Sequence, residues 1–113
     1  MNVKGIADDI GCIRSFVDIC PKEFYSQFLE SLAELEDNDN HVRRTYPISR
    51  FHKMEGTSDY QIFRFDIDKM SGWRCMAQFN KNDGRLHLCG ISEPKYHNKP
   101  LEFVTAHKDY FVK

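Results

Sequence analysis

The sequence lacks the closely spaced cysteines that a structural zinc site needs. None of its cysteines belongs to a C-x-x-C motif, and the gaps within the two pairs are seven and thirteen residues. Structural zinc is usually held by cysteines only a few residues apart, and a chain this rich in aromatic residues needs no disulfide to fold. We therefore expect reduced thiols and no bound metal at the four positions, Cys12, Cys20, Cys75 and Cys89.

Long apolar runs and familiar catalytic motifs are also missing. No run approaches the roughly 18 apolar residues of a membrane span, and Asp8 and Asp9 interrupt the stretch where a signal peptide would need apolar residues. The sequence contains no G-x-S-x-G, no Walker loop and no H-E-x-x-H. We expect a soluble cytoplasmic protein that uses no cofactor and does not contact the membrane.

The composition is that of one folded domain, residues 1–113. The chain has 41% hydrophobic, 13% aromatic and 29% charged residues, which is too apolar for disorder. Its net charge of −1 conceals an asymmetry, because residues 1–41 hold three Lys/Arg against nine Asp/Glu and residues 42–113 hold thirteen against eight. The second part is therefore compatible with an anionic ligand, although a charged face is often only solvated.

Two helices are predicted in the acidic part. Apolar residues at helical spacing predict a first helix that begins near Asp8 and ends before Pro21, with the face Ile6, Ile10, Ile13 and Val17. A second helix follows Pro21, and the polar run at 36–40 should end it. Its apolar face is Phe24, Phe28, Leu29, Leu32 and Leu35, while Glu23, Glu30, Glu34 and Glu36 should face solvent.

The basic part predicts three strands. Residues that point to opposite faces alternate one by one, as in a strand, in three segments: Tyr60 to Ile67, Trp73 to Phe79, and Arg85 to Ile91. The pair Asp83-Gly84 is typical of a hairpin turn, and residues 101–111 remain unassigned as helix or strand. The predicted class is α+β, with two N-terminal helices on one face of a small antiparallel meander. Its opposite face should display together Arg64, Arg74, Gln78 and His87.

Several segments, in this order, resemble the RelE/HigB superfamily of toxins. Residues 51–56 and 60–64 are similar to the lysine-glycine step before the first meander strand, and residues 72–79 resemble the aromatic-arginine strand. Residues 95–97, Lys-Tyr-His, resemble the ending of HigB-type members. The resemblance covers roughly residues 22–98 and implies a RelE-like fold. The chain departs from it in charge, because these toxins are generally strongly basic.

The resemblance implies a metal-independent endoribonuclease that cleaves mRNA, commonly on the ribosome, and that a cognate antitoxin protein neutralises. In this chemistry the ribose 2′-hydroxyl attacks the neighbouring phosphate. Carried over by position, Arg74 and Lys53 contact phosphate, and His97 and Tyr96 serve proton transfer and substrate placement. The expected substrate-binding residues around them are Arg64, His87, His52 and Lys95.

Each of these residues also has a purely structural interpretation. Arg74 has the fork of donors that suits a phosphate, but it could instead be an exposed cross-strand partner of Asp66. His97 titrates near neutral pH, as a proton carrier should, yet it could be an ordinary surface histidine. Tyr96 could stack on a base or form the edge of the core. Because Arg74 and His97 are predicted off the core face, replacing either should leave folding nearly intact.

A rival hypothesis from another class is a protein-binding module without catalytic activity, such as an inhibitor or immunity protein. The acidic helices favour this hypothesis, because their residues Glu30, Glu34 and Asp37 could contact a basic partner. The fold does not decide between the two hypotheses. Convergence of Arg74, His87 and His97 on one open face would favour the enzyme.

Overall fold

A five-stranded mixed sheet organises the protein. The structure is a computed structural model that describes residues 1–57 and 59–113. The strands lie in the order β1-β5-β4-β3-β2, with β1 parallel to β5 and the other pairs antiparallel. The elements are β1 (Ile6–Ala7), α1 (Cys12–Ile19), α2 (Tyr25–Glu36), α3 (Asn38–Arg43), β2 (His52–Lys53), β3 (Ile62–Asp66), β4 (Arg74–Asn80), β5 (Arg85–Ser92) and α4 (Pro100–Ala106).

The central strands β3, β4 and β5 are the predicted meander. Gly84, with a φ of 71°, ends the tight turn between β4 and β5, a conformation that glycine adopts without steric cost. Helices α1 and α2 cover one sheet face, where Phe16 and Phe28 pack on Phe65 and Leu88. The predicted α+β class, with N-terminal helices on one face of a meander, is confirmed.

The first helix begins later than predicted and turns a different face inward. The Asp8 carboxylate accepts hydrogen bonds from the backbone N–H groups of Cys12 (2.6 Å) and Ile13 (3.0 Å), which fixes the first turn there. The residues before it form β1 instead. Because α1 buries Cys12 and Phe16, the predicted core residues Ile10 and Val17 are exposed.

The second helix follows the prediction except at two positions. Phe28, Leu32 and Leu35 are buried, but Leu29 is exposed, so its predicted place in the core is wrong. Glu34, expected in solvent, is buried. Its carboxylate accepts hydrogen bonds from the N–H groups of Ile48 (3.0 Å) and Ser49 (2.6 Å), which the loop after α3 would otherwise leave unpaired.

The polar run at 36–40 ends α2 as predicted, but a further short helix, α3, begins within it. The Asp37 side chain accepts a hydrogen bond from the N–H of Asp39 (3.0 Å) and so caps α3. The short helix carries His41, which is fully buried. Its Nε2–H donates to the carbonyl of Leu35 (2.7 Å), and Nδ1 lies 2.8 Å from the Tyr46 hydroxyl. These bonds hold residues 44–51 against the core, with Phe51 in edge contact with the His41 ring.

The second face of the sheet is also covered, contrary to expectation. The segment left unassigned by the sequence forms α4 and a following 3₁₀ turn. Phe103, Val104 and Phe111 from this segment pack on Ile62 and Met76 and make a second core. The predicted open display of polar side chains along this face is therefore wrong, because the second core covers the middle of the sheet and Arg74 is buried.

The four cysteines are free thiols, and all four are buried. Burial raises the pKa of Cys12 and of Cys89 to about 12, so both thiols stay protonated at neutral pH. Among the described residues, no helix has the length and apolar character needed to cross a membrane.

The two leucines of α2 provide a matched test of this packing. Leu32 is 8% exposed and Leu29 is 60% exposed. We expect Leu32→Ala to lower the free energy of unfolding by about 2–5 kcal/mol, because it removes buried methyl groups and leaves a cavity. Leu29→Ala should change it by less than about 0.5 kcal/mol. Urea denaturation of both variants measures this, and equal midpoints would contradict the packing.

Candidate functional site

Asp66, the last residue of β3, is the centre of an ion-pair network at one end of the sheet. Its buried carboxylate forms ion pairs with Nε of Arg74 (2.9 Å) and with Nε of Arg50, which also donates a hydrogen bond to it. Its backbone is fixed as well, because its N–H donates to the carbonyl of Ser49 (2.7 Å) and its carbonyl accepts from the Ser31 hydroxyl (2.8 Å). One residue thus joins β3, β4, α2 and the loop before β2.

Arg74 is buried, which corrects the expectation of an exposed side chain. Only 2% of the residue is exposed. Besides the bond to Asp66, its Nη1 donates to the carbonyls of Asp68 (2.6 Å) and Trp73 (2.9 Å), and its Nη2 to that of Lys69 (3.3 Å). These bonds use three of the five guanidinium N–H donors, and Nε is ion-paired with Asp66. Arg74 therefore fixes the loop 68–73 and has little left to offer a ligand.

An open cavity of about 440 Å³ lies over this network. We call it the cation cavity, because three guanidinium groups line it against a single carboxylate. Such an excess of buried and half-buried positive charge favours an anion. Its lining consists of Arg50, His52, Arg64, Asp66, Arg74, His97 and Asn98.

Arg64 lies half-buried on the wall of the cation cavity. Its Nη2 donates to the backbone carbonyl of His97 (3.0 Å), while its Nε is buried without a hydrogen-bond partner among the described residues. Burial lowers the pKa of the Arg64 guanidinium, and the charge of Arg74 lowers it further. Two neighbouring cations that repel each other would both be stabilised by a bound anion.

His97 lies exposed at the mouth of the cavity, just after the 3₁₀ turn Pro94–Tyr96. Its pKa lies below the usual 6.5. Partial desolvation of the ring has the largest lowering effect, and the positive charges of Arg74 and Arg64 add to it. The ring is therefore neutral at pH 7 and able to accept a proton.

Sequence reasoning missed Arg50. This residue has a φ of 48°, in the left-handed region that non-glycine residues seldom adopt. Its side chain is 47% exposed even though its Nε pairs with Asp66, so its outer nitrogens can reach a ligand. Its position two residues before His52 was the available signal, but the pairing with Asp66 is a tertiary contact that no local pattern predicts.

A second cavity of about 530 Å³ adjoins the first and shares His52, Arg64 and Asn98 with it. Lys53 lines this second cavity rather than the first. The structure therefore brings five of the eight predicted site residues to one region, His52, Lys53, Arg64, Arg74 and His97.

The other three predicted site residues lie elsewhere. Tyr96 packs its ring edge-on against Phe103, at a centroid distance of 5.4 Å, and Lys95 lies over the Tyr96 ring (5.1 Å). His87 lines a different cavity and pairs with Asp83 (2.6 Å). The predicted grouping of His87 with Arg74 and His97 is wrong, because the C-terminal segment covers the sheet between them.

Within residues 1–57 and 59–113, no group of three or more His, Cys, Asp or Glu side chains is placed to hold a metal ion. The groups that line the cation cavity are three guanidinium groups, two imidazoles, one carboxylate and one amide. These groups can neutralise a phosphate and move a proton.

No family model and no curated protein matches this chain. The fold, however, is similar to that of a solved structure described as the archaeal RelE-RelB complex from Pyrococcus horikoshii OT3. The similarity has a TM-score of 0.55 at 19% sequence identity, and it covers 83% of this chain and 97% of that chain. The protein therefore has a RelE-like fold, as the sequence resemblance implied.

The burial of Arg74 leads to a stability prediction. Arg74→Ala leaves the Asp66 carboxylate buried with one partner and removes the donors to three carbonyls, so we expect a loss of about 3–5 kcal/mol in the free energy of unfolding. Arg85→Ala, which removes an exposed arginine at the start of β5, should cost less than about 0.5 kcal/mol. Chemical denaturation of both variants checks this, and an unchanged midpoint for Arg74→Ala would show that the network does not stabilise the fold.

Proposed function

We propose that the protein is a toxin-like endoribonuclease that cleaves mRNA without a metal ion and uses the cation cavity as its active site. The observation that carries the proposal is the position of a neutral histidine, His97, beside three guanidinium groups at an open end of the sheet. The RelE-like fold supports it, because the cavity lies on a scaffold of the kind that the sequence resemblance implied. Phosphate is the anion that this excess of guanidinium groups suits.

The proposed reaction is an attack of the ribose 2′-hydroxyl on the adjacent phosphate. Neutral His97 accepts the hydroxyl proton as the O2′–P bond forms. The P–O5′ bond breaks, and the departing O5′ takes up a proton from solvent water, which the open cavity admits. The products are a 2′,3′-cyclic phosphate and a 5′-hydroxyl, so atoms and charge balance without a cofactor.

The arginines would stabilise the negative charge that develops on phosphorus. Arg50 and Arg64 are the groups with donors available, and their charges favour the pentavalent transition state over the ground state. Lys53, in the adjoining cavity, is proposed to contact a neighbouring phosphate. Arg74 contributes through its ion pair with Asp66 and contacts no phosphate itself. The proposal gives no phosphate contact to Tyr96, Lys95 or His87, which lie outside the cavity.

A protein partner is part of the proposal. The similar solved structure is described as a complex of RelE with RelB, which supports a cognate antitoxin for this chain as well. The acidic residues 1–41 lie largely in helices on the sheet face opposite Arg64 and Arg74. They could bind a basic segment of such a partner without contacting RNA. We also propose that cleavage takes place on the ribosome, because the resemblance that implies mRNA cleavage commonly implies ribosome association.

Two histidines provide a matched test of the activity. We expect His97→Ala to remove most RNA cleavage, by about 10²-fold or more, because it removes the proton acceptor. His87→Ala should leave cleavage unchanged, since His87 lies in a different cavity. The assay follows a labelled RNA in excess chelator and identifies the ends of the products.

Products that end in a 2′,3′-cyclic phosphate would support the proposed attack. A strict magnesium requirement would indicate another chemistry. If the protein neither cleaves RNA, alone or with ribosomes, nor binds it at about 50 mM salt, the nuclease proposal is rejected in favour of the protein-binding module.

The proposal also fixes the sign of the pH dependence. A base works only in its neutral form, and the pKa of His97 lies below 6.5. The rate constant at saturating RNA should therefore be constant near pH 7 and decline as pH falls through a midpoint below 6.5. The pH-rate profile measures this limb. A rate that rises as the pH is lowered would contradict the assignment of His97 as the base.

A further inference from the structure

The His97 ring rests on a glycine that leaves no room for a side chain. A Cβ atom added to Gly72 would lie 3.1 Å from Cβ of His97, 3.2 Å from Cγ and 3.4 Å from Nδ1. The separations from Cβ and Cγ are shorter than ordinary van der Waals contact, so a side chain at position 72 would displace His97 by a few tenths of an ångström. Gly72 is buried and has a φ of 88°, which side-chain-bearing residues rarely adopt.

Hydrogen bonds from the buried Arg74 side chain and within the loop hold the loop that carries Gly72, residues 68–73. Arg74 Nη1 donates to carbonyls at both ends of this loop, those of Asp68 and Trp73. The Asp68 carboxylate accepts from the N–H of Ser71 (2.7 Å), and the Trp73 carbonyl accepts from that of Ile67 (3.0 Å). The loop therefore presents Gly72 as a fixed surface, and the buried Arg74 explains why it is fixed.

The backbone of His97 is fixed on its other side. Its carbonyl accepts a hydrogen bond from Arg64 Nη2 (3.0 Å), and its N–H donates to the carbonyl of Pro94 (3.0 Å). The ring is thus confined between the Gly72 surface and the wall of the cation cavity. An exposed histidine would otherwise sample several rotamers.

We propose that Gly72 is a positioning residue, which holds the imidazole of His97 at the cation cavity, and that Arg74 acts through it by fixing the loop 68–73. This inference rests on the proposed function, because it concerns the base of the proposed reaction. It assigns the buried arginine a part in the reaction without contact to phosphate. Displacement of a reacting group by about 1 Å can lower a rate by about 10²-fold.

The charges around His97 provide a second readout of its position. Arg74, Arg64 and Arg50 lower its pKa, Asp66 raises it, and partial burial has the largest lowering effect. These groups come from β3, β4 and the loop before β2. If the ring moves away from them into solvent, its pKa must rise toward 6.5.

The test compares Gly72→Ala with Gly84→Ala. Gly84 also has a positive φ, 71°, so both substitutions carry a similar backbone strain. A Cβ atom added to Gly84 would contact only the flexible side chain of Lys4, at 3.1 Å. Neither Gly84 nor Lys4 lines the cation cavity. We expect Gly72→Ala to lower the rate constant of RNA cleavage by about 10-fold, with a smaller change in KM, and to raise the pKa of His97 measured by NMR titration. Gly84→Ala should leave both values unchanged.

A folded Gly72→Ala protein with the wild-type rate constant and the wild-type His97 pKa would overturn the inference. If this variant does not fold, Asp68→Ala replaces it, since it loosens the same loop by removing the acceptor for Ser71, and the same two changes are expected in smaller degree. If the wild type cleaves no RNA, the proposed function fails, and the pKa comparison still decides whether Gly72 holds the ring.

Discussion

The Asp66 carboxylate, held between two arginines, is the interaction on which the rest of the site depends. A buried charge is tolerated only with well-placed partners, because its desolvation costs several kcal/mol. Asp66 satisfies this condition with Arg74 on one oxygen and Arg50 on the other. Each arginine brings its own segment to the end of the sheet. Arg74 orders the loop that contacts His97, and Arg50 orders the segment that leads into His52 and Lys53.

This network leaves positive charge in excess at the cation cavity. A slightly acidic chain can therefore carry the proposed anion site. The sheet separates the two kinds of charge, since the helices of the acidic part pack on one face while Arg64 and Arg74 extend from the other. Exposed charges farther apart than about 8 Å are largely screened at physiological salt. In the proposed function, the charge near the cavity therefore governs the binding of a phosphate more than the net charge of −1 does.

The sequence predicted those features that depend on local periodicity. Alternation placed Phe65 and Trp73 in the core, and Asp83-Gly84 marked the hairpin turn. The failures have tertiary causes. Leu29 and Leu32 are equivalent by helical spacing, and only the position of the sheet decides which is buried. Glu34 looked like a surface residue until the loop N–H groups that it binds were known.

For the candidate site, too, sequence patterns predicted some residues, whereas tertiary contacts decided the others. The order of the segments pointed to Arg64, Arg74 and His97, and these residues do lie around one cavity. Strand alternation also put His87 on their face, which is correct for the strand but not for the site, because α4 and Phe111 cover the sheet between them. Arg50 could not have been found in this way, since its place depends on a left-handed backbone and on Asp66, sixteen residues away.

The central claim is that the cation cavity binds the phosphates of RNA. A fully 2′-O-methylated oligoribonucleotide tests it most directly, because it can bind but has no 2′-hydroxyl to react. Titrated at about 50 mM salt, it should shift the NMR signals of the His97 ring and of Arg50 and Arg64 Nε–H along one saturable curve, which weakens as salt is added. The His87 ring should not respond. Saturable shifts at His87 alone, or none at His97 and the two arginines, would contradict the claim.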